Sequence, residues 1–294
     1  MMQSASLEQA PATLEVAGAQ GGGASAEERY LELLKRTLMR IGFEAKYEPL
    51  TFQRVPSIRT KIYRVLARAL GPRYEIVRRR RVRREDPTEG RKCSPDAESM
   101  IGLYRMNNLH EAIRTIVREK IPGDVIEAGV WRGGAAIFMR AALWAYGDES
   151  RTVWVADSFE GLPKPSENIA ADAGYDLSGV SDLAVSVQEV QENFRKYGWL
   201  DERVRFLKGW FKDTLPTAPI GSIALLRADG DLYESTMDIL NALYEKVSPG
   251  GYVVIDDYGA WPPCQKAVDE FRAKHGITEP MVTIDWTGRY WRKG

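Results

Sequence analysis

A doubly wound α/β fold with a mainly parallel sheet is what this chain predicts, and three observations carry the prediction. From residue 110 onward, short apolar runs of strand length alternate with amphipathic runs of helix length, the pattern that builds a parallel sheet covered on both faces. The apolar runs end on acidic residues beside glycine-containing turns, as in DVIEAGV, VWVADSF, LLRADGD and GGYVVIDDYG. In doubly wound sheets ligands sit at the carboxyl ends of the strands, and every chemically suggestive motif here lies at such an end.

The elements follow in order. The first 26 residues, rich in Ala, Gly, Gln and Ser, contain neither a cationic start nor the apolar run of a signal peptide, and read as a flexible tail. Residues 27–44, EERYLELLKRTLMRIGFE, place Tyr30, Leu33, Leu34, Leu38 and Ile41 at helical spacing. A second helix, TKIYRVLARAL, stops at Gly71-Pro72, and six of the seven residues from Arg78 to Arg84 are Arg. Residues 27–93 therefore form a helical and Arg-rich region ahead of the alternating segment, which takes in residues 94–294. There HEAIRTIVREK reads as a helix, DVIEAGV a strand, GGAAIFMRAALWAYG a helix and RTVWVADSF a strand. VSVQEVQENFRKYG (helix), RVRFLKGW and SIALLRADGD (strands), STMDILNALYEKV (helix), GGYVVIDDYG (strand) and CQKAVDEFRAKHG (helix) continue it. PMVTIDW and RYWRKG close it as two short strands.

Composition narrows the function classes. The chain has 294 residues, 44% of them apolar, and its 41 basic residues balance its 41 acidic ones, so nothing global points to nucleic acid. The Arg run has no interleaved aromatics or glycines on which bases could stack, so a solvated face or a site for an anionic partner is preferred. Cys93 and Cys264 stand far apart in no metal or redox spacing, and no apolar run approaches the ~18 residues of a membrane span. The expectation is a reduced, cytoplasmic protein with no membrane partner.

VIEAGVWRGGAA ends a strand on Glu127, turns at Gly129 and opens a helix at Gly133-Gly134. Backbone can approach a ligand there while a carboxylate waits at the rim. The GxGxxG of a dinucleotide fold is absent; acidic-x-Gly-x-x-x-Gly is the form that receives the cationic amino-acid end of S-adenosylmethionine. Asp157, ending the next strand, stands where an acidic side chain accepts ribose hydroxyls. In LLRADGDLYEST, Asp229 ends a strand and Asp231 follows; Asp256 and Asp257 end the next strand. Adjacent Asp residues at a strand end point to opposite sides unless the backbone turns, and either open a solvated turn or answer a positive charge. Four carboxylates on one rim repel unless a hard cation neutralises them, and three Asp with substrate and water oxygens suit Mg²⁺. Neither His110, His275 nor either Cys falls in this set, which disfavours zinc.

DVIEAGVWRGGAAIFMRAALWAYG, VWVADSFEGLPKP, RFLKGWFKDTLP, LLRADGDLYEST and SPGGYVVIDDYGAW, in this order, resemble the macrocin O-methyltransferase family, and YLELLKRTL is similar to its N-terminal element. The resemblance runs from about Ser94 to the C-terminus. It implies a Rossmann-like class I methyltransferase with an N-terminal helical cap, using S-adenosylmethionine and Mg²⁺ to methylate a hydroxyl of a deoxysugar on a glycosylated natural product. It implies Asp229, Asp256 and Asp257 as metal ligands, with Asp229 and Asp231 the catalytic pair and Asp231 the candidate base. Glu98, Ser99 and Met100 match the stretch that closes over the cofactor. Glu127, Ala128, Gly129, Val130 and Trp131 with Asp157, Ser158 and Phe159 match its cradle, joined by Gly209 and Trp210. Some members carry a His in the loop after the second strand as proton acceptor; residues 162–182 here contain none, and Asp172 and Asp176 are lesser candidates. That loop reads as a mobile lid or an oligomer contact, and a homo-oligomer is expected. Trp131, Trp210, Phe211, Tyr233, Tyr258 and Trp261 are candidates to face the sugar, against a role in core packing for about half of them. Two other readings stay open: methylation of a catechol or other small hydroxyl compound, and a cofactor-binding protein without catalysis.

Overall fold

The computed structural model describes residues 24–43, 47–49, 58–71, 76–79, 87–91 and 93–294. Residues 1–23 of the expected tail, and Arg80 to Arg84 of the Arg-rich run, lie outside the described residues.

The first helix, α1 (Ala26–Leu38), starts where Ser25 accepts a hydrogen bond from the Glu28 amide, with Glu27 and Glu28 in its first turn and Lys35 and Arg36 in its last. Both ends therefore suit the helix dipole. Its buried face is Leu31, Leu34, Lys35 and Leu38, while Leu33, expected on that face, is 62% exposed. Spacings of three and four from Leu31 define the stripe that meets the protein, and Leu33 falls off it. The helix α2 (Ile58–Leu70) lies between two three-residue strands, β1 (Tyr47–Pro49) and β2 (Val77–Arg79), which pair antiparallel. That ribbon was not among the expected elements, since three residues give no period to read.

The remaining elements come in the predicted order. They are α3 (Leu103–Arg118), β3 (Asp124–Ala128), α4 (Gly134–Ala145), β4 (Val153–Asp157), α5 (Val187–Lys196) and β5 (Val204–Lys208). After a short helix α6 (Phe211–Thr214) come β6 (Ile223–Ala228), α7 (Tyr233–Leu243), β7 (Val247–Ile255), α8 (Pro262–Lys274), β8 (Val282–Thr283) and β9 (Arg289–Arg292). Helix α3 begins earlier than the sequence predicts, at the Gly102 cap, because Met106, Leu109, Ile113 and Ile116 form one continuous buried stripe.

The sheet runs β5-β4-β3-β6-β7-β9-β8, with β3 to β7 parallel and β9 antiparallel to both β7 and β8. This is the doubly wound fold expected: the chain starts at the centre with β3, winds out to β5, then crosses back to β6. The strand order reverses between β3 and β6, which opens a crevice beyond their carboxyl ends.

Alternation along the strands divides the core. Val125, Val153, Val155, Leu225 and Val254 face α1, α3, α4 and α5, whereas Ile126, Trp154, Ala156, Leu226, Val253 and Ile255 face α7 and α8. Helix α1 contributes Leu31, Leu34 and Leu38 to the first of these clusters, so it shares a core with the sheet. Extending each strand by two residues puts Glu127 after Val125, Arg227 after Leu225 and Asp256 after Val254, all on the same face. Alternation thus delivers one arginine and two carboxylates to one place, next to α3.

Candidate active site

A cavity of about 1080 Å³ lies over the carboxyl ends of β3, β4, β6 and β7. Four loops build its floor, and their backbones are unusual. Gly129 and Gly133 have φ of 91° and 84°, and three of the non-glycine residues with positive φ, Trp131, Phe159 and Asp231, sit in the same turns. Such conformations cost of order 1–3 kcal/mol each for residues with side chains, and cluster where a binding site dictates the backbone. A Cβ on Gly129 would collide with the Asp229 carbonyl oxygen. The β3 and β6 turns therefore lie in backbone contact across the switch point. A Cβ on Gly134 would lie 2.5 Å from the Glu98 carbonyl oxygen and 2.6 Å from Ser99 Cβ. The missing side chain lets the Gly134 amide donate to Glu98 O at 3.0 Å, so the 98–100 stretch rests on the start of α4.

Arg227 organises the buried charges. Its Nη1 lies 2.7 Å from Glu127 Oε1 and 2.9 Å from Asp229 Oδ2, and its Nη2 lies 2.5 Å from Asp256 Oδ1. Arg105 of α3 holds the other Asp256 oxygen and bonds Asp285 Oδ2 at 3.0 Å. Burial pushes the Asp256 carboxyl up, but the two guanidiniums outweigh it and hold it below the ordinary Asp value. The positive charge that the paired Asp residues required is thus present, and it answers Asp256. Glu127 is different: burial, only partly opposed by Arg227, raises its carboxyl to about 8, and its Oε2 is buried without a hydrogen-bond partner. An orphaned acceptor of that kind suits a cationic ligand group.

Asp257 turns to the opposite side from Asp256. Its carboxylate meets those of Asp229 and Asp231, with ligand oxygens all within 4.8 Å of one another, the group that could share one cation among the described residues. Burial comes first in raising all three: Asp257 is then pushed up by Asp231 and Asp229, Asp229 by Asp256, and Asp231, reaching about 8, by Asp229 and Asp256. The carboxylates that the structure gathers differ in one member from the expected ligand set. Asp256 is displaced from the cluster by its two arginines, and Asp231, expected only as the base, stands in it. The physical reason is the strand alternation that separates Asp256 from Asp257.

Of the expected cofactor residues, Glu98, Ser99, Met100, Glu127, Gly129, Val130, Trp131, Asp157, Ser158 and Trp210 line the cavity, whereas Ala128, Phe159 and Gly209 do not. Two carboxylates in this set are already engaged. Glu98 is held by Arg40 Nη2 at 3.1 Å and the Tyr197 hydroxyl at 2.9 Å, and Asp157 accepts the Val130 and Phe159 amides at 2.8 and 2.7 Å. Asp157 thus ties the β3 turn to the β4 turn. Trp131, Trp210, Phe211 and Trp261 face the cavity as anticipated, whereas the hydroxyls of Tyr233 and Tyr258 bond Glu270 and Asp269 on α8 and neither ring lines it. Asp172 is fully buried in a helix cap and Asp176 bonds Ser178, so neither is placed as a proton acceptor.

Sequence reasoning missed Arg105, Arg227 and Trp286, all of which line the cavity. Arg227 did leave a signal, a lone charge inside the apolar run SIALLRA. Arg105 and Trp286 left none, for they arrive from segments distant in sequence. No helix among the described residues is long and apolar enough to cross a membrane.

The chain is similar to known O-methyltransferases. Demethyldecarbamoylnovobiocin O-methyltransferase of Streptomyces niveus is 53% identical over 213 residues, covering 72% of this chain and 81% of that one. Mycinamicin III 3''-O-methyltransferase of Micromonospora griseorubida is 51% identical over 201 residues, covering 67% and 79%. Among solved structures, the O-methyltransferase NovP is 44% identical with a TM-score of 0.76, over 91% of this chain and 99% of that one. The calicheamicin methyltransferase CalS11, 19% identical with a TM-score of 0.54, shares the fold. Residues 27–293 match the family model of macrocin-O-methyltransferase, and the chain accordingly belongs to that family and is an O-methyltransferase.

Proposed function

We propose that the protein methylates a hydroxyl on the sugar of a glycosylated natural product, with S-adenosylmethionine as donor and Mg²⁺ as metal cofactor. The relatives' names support the acceptor class: one acts on demethyldecarbamoylnovobiocin, one on a rhamnosyl-tetracenomycin at a 4'-hydroxyl and one on mycinamicin III at a 3''-hydroxyl. The observation that carries the reading is the pairing, in one cavity, of an orphaned carboxylate oxygen on Glu127 with a separate all-oxygen cluster at Asp229, Asp231 and Asp257.

The donor set fits a hard cation, since three crowded carboxylates and no sulfur or imidazole ligand favour Mg²⁺. Bound there, the cation would supply positive charge that neutralises the cluster and eases loss of a proton from an acceptor hydroxyl. S-adenosylmethionine would supply the methyl group from its sulfonium, with Glu127 Oε2 receiving the ammonium and the Gly129 to Trp131 turn lying against it. The chain's own part is to hold both reactants in line and to take the proton. Asp231 is the residue for that step: it stands beside Asp229 and Asp257 at the cavity, and burial with the charges of Asp229 and Asp256 raises its affinity for a proton above that of an ordinary Asp. Trp131, Trp210, Trp261 and Trp286 present flat faces along the cavity wall, suited to sugar rings.

The test is mass spectrometry of products from the purified enzyme, S-adenosylmethionine and Mg²⁺ with a panel of glycosides, their aglycones and simple catechols. A gain of one methyl on the glycosides alone is expected. Methylation of catechols or aglycones in preference to glycosides would overturn the proposed acceptor class.

A further inference from the structure

The loop of residues 162–183 forms one wall of the cavity through Leu162, Pro163, Leu177, Val180 and Leu183. Between these wall residues the chain dips inward and buries a carboxylate completely: Asp172, at the end of a single 3₁₀ turn (Ala170–Asp172), is 0% exposed. A lone buried Asp demands donors. It finds them in another element, for Oδ1 accepts the Tyr233 amide at 2.7 Å and Oδ2 the Glu234 amide at 3.1 Å. Those are the first two residues of α7, whose own N-cap, Leu232, supplies no side-chain acceptor. The helix is therefore capped by a carboxylate that lies 61 and 62 residues before the two amides it accepts.

The location gives this cap its significance. Asp231 precedes α7 by two residues, in a left-handed conformation at φ 52°, and its amide donates to Asp257 Oδ2 at 3.3 Å. Whatever fixes the first turn of α7 also fixes the direction in which Asp231 leaves it. At its other end the same loop is tied to the cofactor side, because Trp131 Nε1 donates to Asp182 O at 2.9 Å, and Tyr175 packs edge-on against Trp261 at 5.9 Å.

We infer that Asp172 is a positioning residue for methyl transfer: its one carboxylate joins the loop that walls the cavity to the turn that carries Asp231, so that the acceptor wall and the acidic cluster are set as a unit. The inference rests on the proposed function for its kinetic readout and on the fold alone for its structural one. Asp172 touches no reacting atom; it acts through the α7 amides and Asp231.

Asp172→Ala and Asp172→Asn test it. An N-cap is worth typically ~1 kcal/mol and up to ~2, so Asp172→Ala should raise the acceptor KM and lower kcat, together reducing kcat/KM by roughly five- to thirtyfold. The S-adenosylmethionine Kd should stay within about twofold, since the Glu127 contacts are elsewhere. Asp172→Asn keeps one acceptor oxygen and should recover part of the loss. Hydrogen exchange on the same proteins, with no acceptor present, should show faster exchange in residues 162–183 and in residues 231–236 together. A reduced Tm with kinetic constants unchanged would make Asp172 merely structural and overturn the inference. So would faster exchange in one of the two segments without the other. If the wild-type enzyme methylates no glycoside, the proposed acceptor class fails, while the exchange experiment still decides whether the loop and the acidic turn are joined.

Discussion

Arg227→Met replaces the buried guanidinium by an apolar chain of similar length. The wild-type group lies 2.5 to 2.9 Å from three carboxylates. At an effective dielectric of about 20, each close ion pair is worth about 4 kcal/mol, so three attractions total roughly 12 kcal/mol before the several kcal/mol needed to desolvate the charges. Removing one partner of a buried network typically costs about 3–5 kcal/mol, a large part of the 5–15 kcal/mol that holds a domain folded. Without Arg227, Glu127 and Asp229 lose an attraction that opposes their already raised pKa values, and Asp256 loses one of the two guanidiniums that depress its own. The variant's carboxyls thus favour the protonated form in the folded state. The loss should be greatest near pH 8 and shrink towards pH 5, as these groups take up protons that the unfolded chain holds less tightly. Urea unfolding of both proteins at pH 5.5 and 8, in the absence of divalent cation, measures it. A loss under 1 kcal/mol, or one equal at the two pH values, would refute the view that Arg227 is the electrostatic centre of the site.

Four further outcomes are expected. Glu127→Gln keeps the shape but removes the charge offered to the cofactor, and a charge-assisted bond of roughly 1.5–3 kcal/mol predicts about ten- to a hundredfold weaker binding by calorimetry. The same variant should flatten the pH dependence of stability: Glu127 stands at about 8 when folded against roughly 4.3 unfolded, so its contribution is full below the lower value and lost as pH rises through the higher, and wild type should lose stability relative to the variant between pH 5 and 8. Gly134→Ala would stabilise an ordinary helix by roughly 0.5–1 kcal/mol, but here its Cβ presses on Glu98 and Ser99, and weaker cofactor binding with lower stability is expected from calorimetry and thermal melts. Asp231→Asn should abolish turnover and weaken Mg²⁺ binding at least tenfold, whereas Asp256→Asn should leave Mg²⁺ affinity within about threefold and lower stability; the reverse pattern would return Asp256 to the ligand set.

The parallel core was legible in the sequence because each strand and helix carried its own period and its own stop. DVIEAGV and VWVADSF ended where β3 and β4 end, within the turn residues that followed them. The N-terminal ribbon was not legible, since Tyr47–Pro49 and Val77–Arg79 are too short to alternate. Within the site, sequence adjacency gathered Asp229, Asp231, Asp256 and Asp257 on one rim but could not divide them. That division depends on Arg227, which shares a strand face with Asp256, and on Arg105, which reaches the site from α3 by tertiary packing alone. The loop of residues 162–182 was read as a mobile lid or an oligomer contact; its length was visible, but the burial of Asp172 under α7 was not, because a capping Asp in sequence looks like any other loop Asp.

On the proposed function, cofactor and cation occupy separate parts of one cavity and transfer needs both. The most direct measurement follows methyl transfer to a glycoside acceptor and S-adenosylmethionine affinity side by side, first in EDTA and then after excess Mg²⁺ is restored. Turnover should vanish in EDTA and return with Mg²⁺, while the cofactor Kd changes by no more than about twofold, because Glu127 is bound to Arg227 and lies outside the Asp229, Asp231 and Asp257 cluster. Full turnover in EDTA would contradict the account, and so would a cofactor affinity that collapses with the metal.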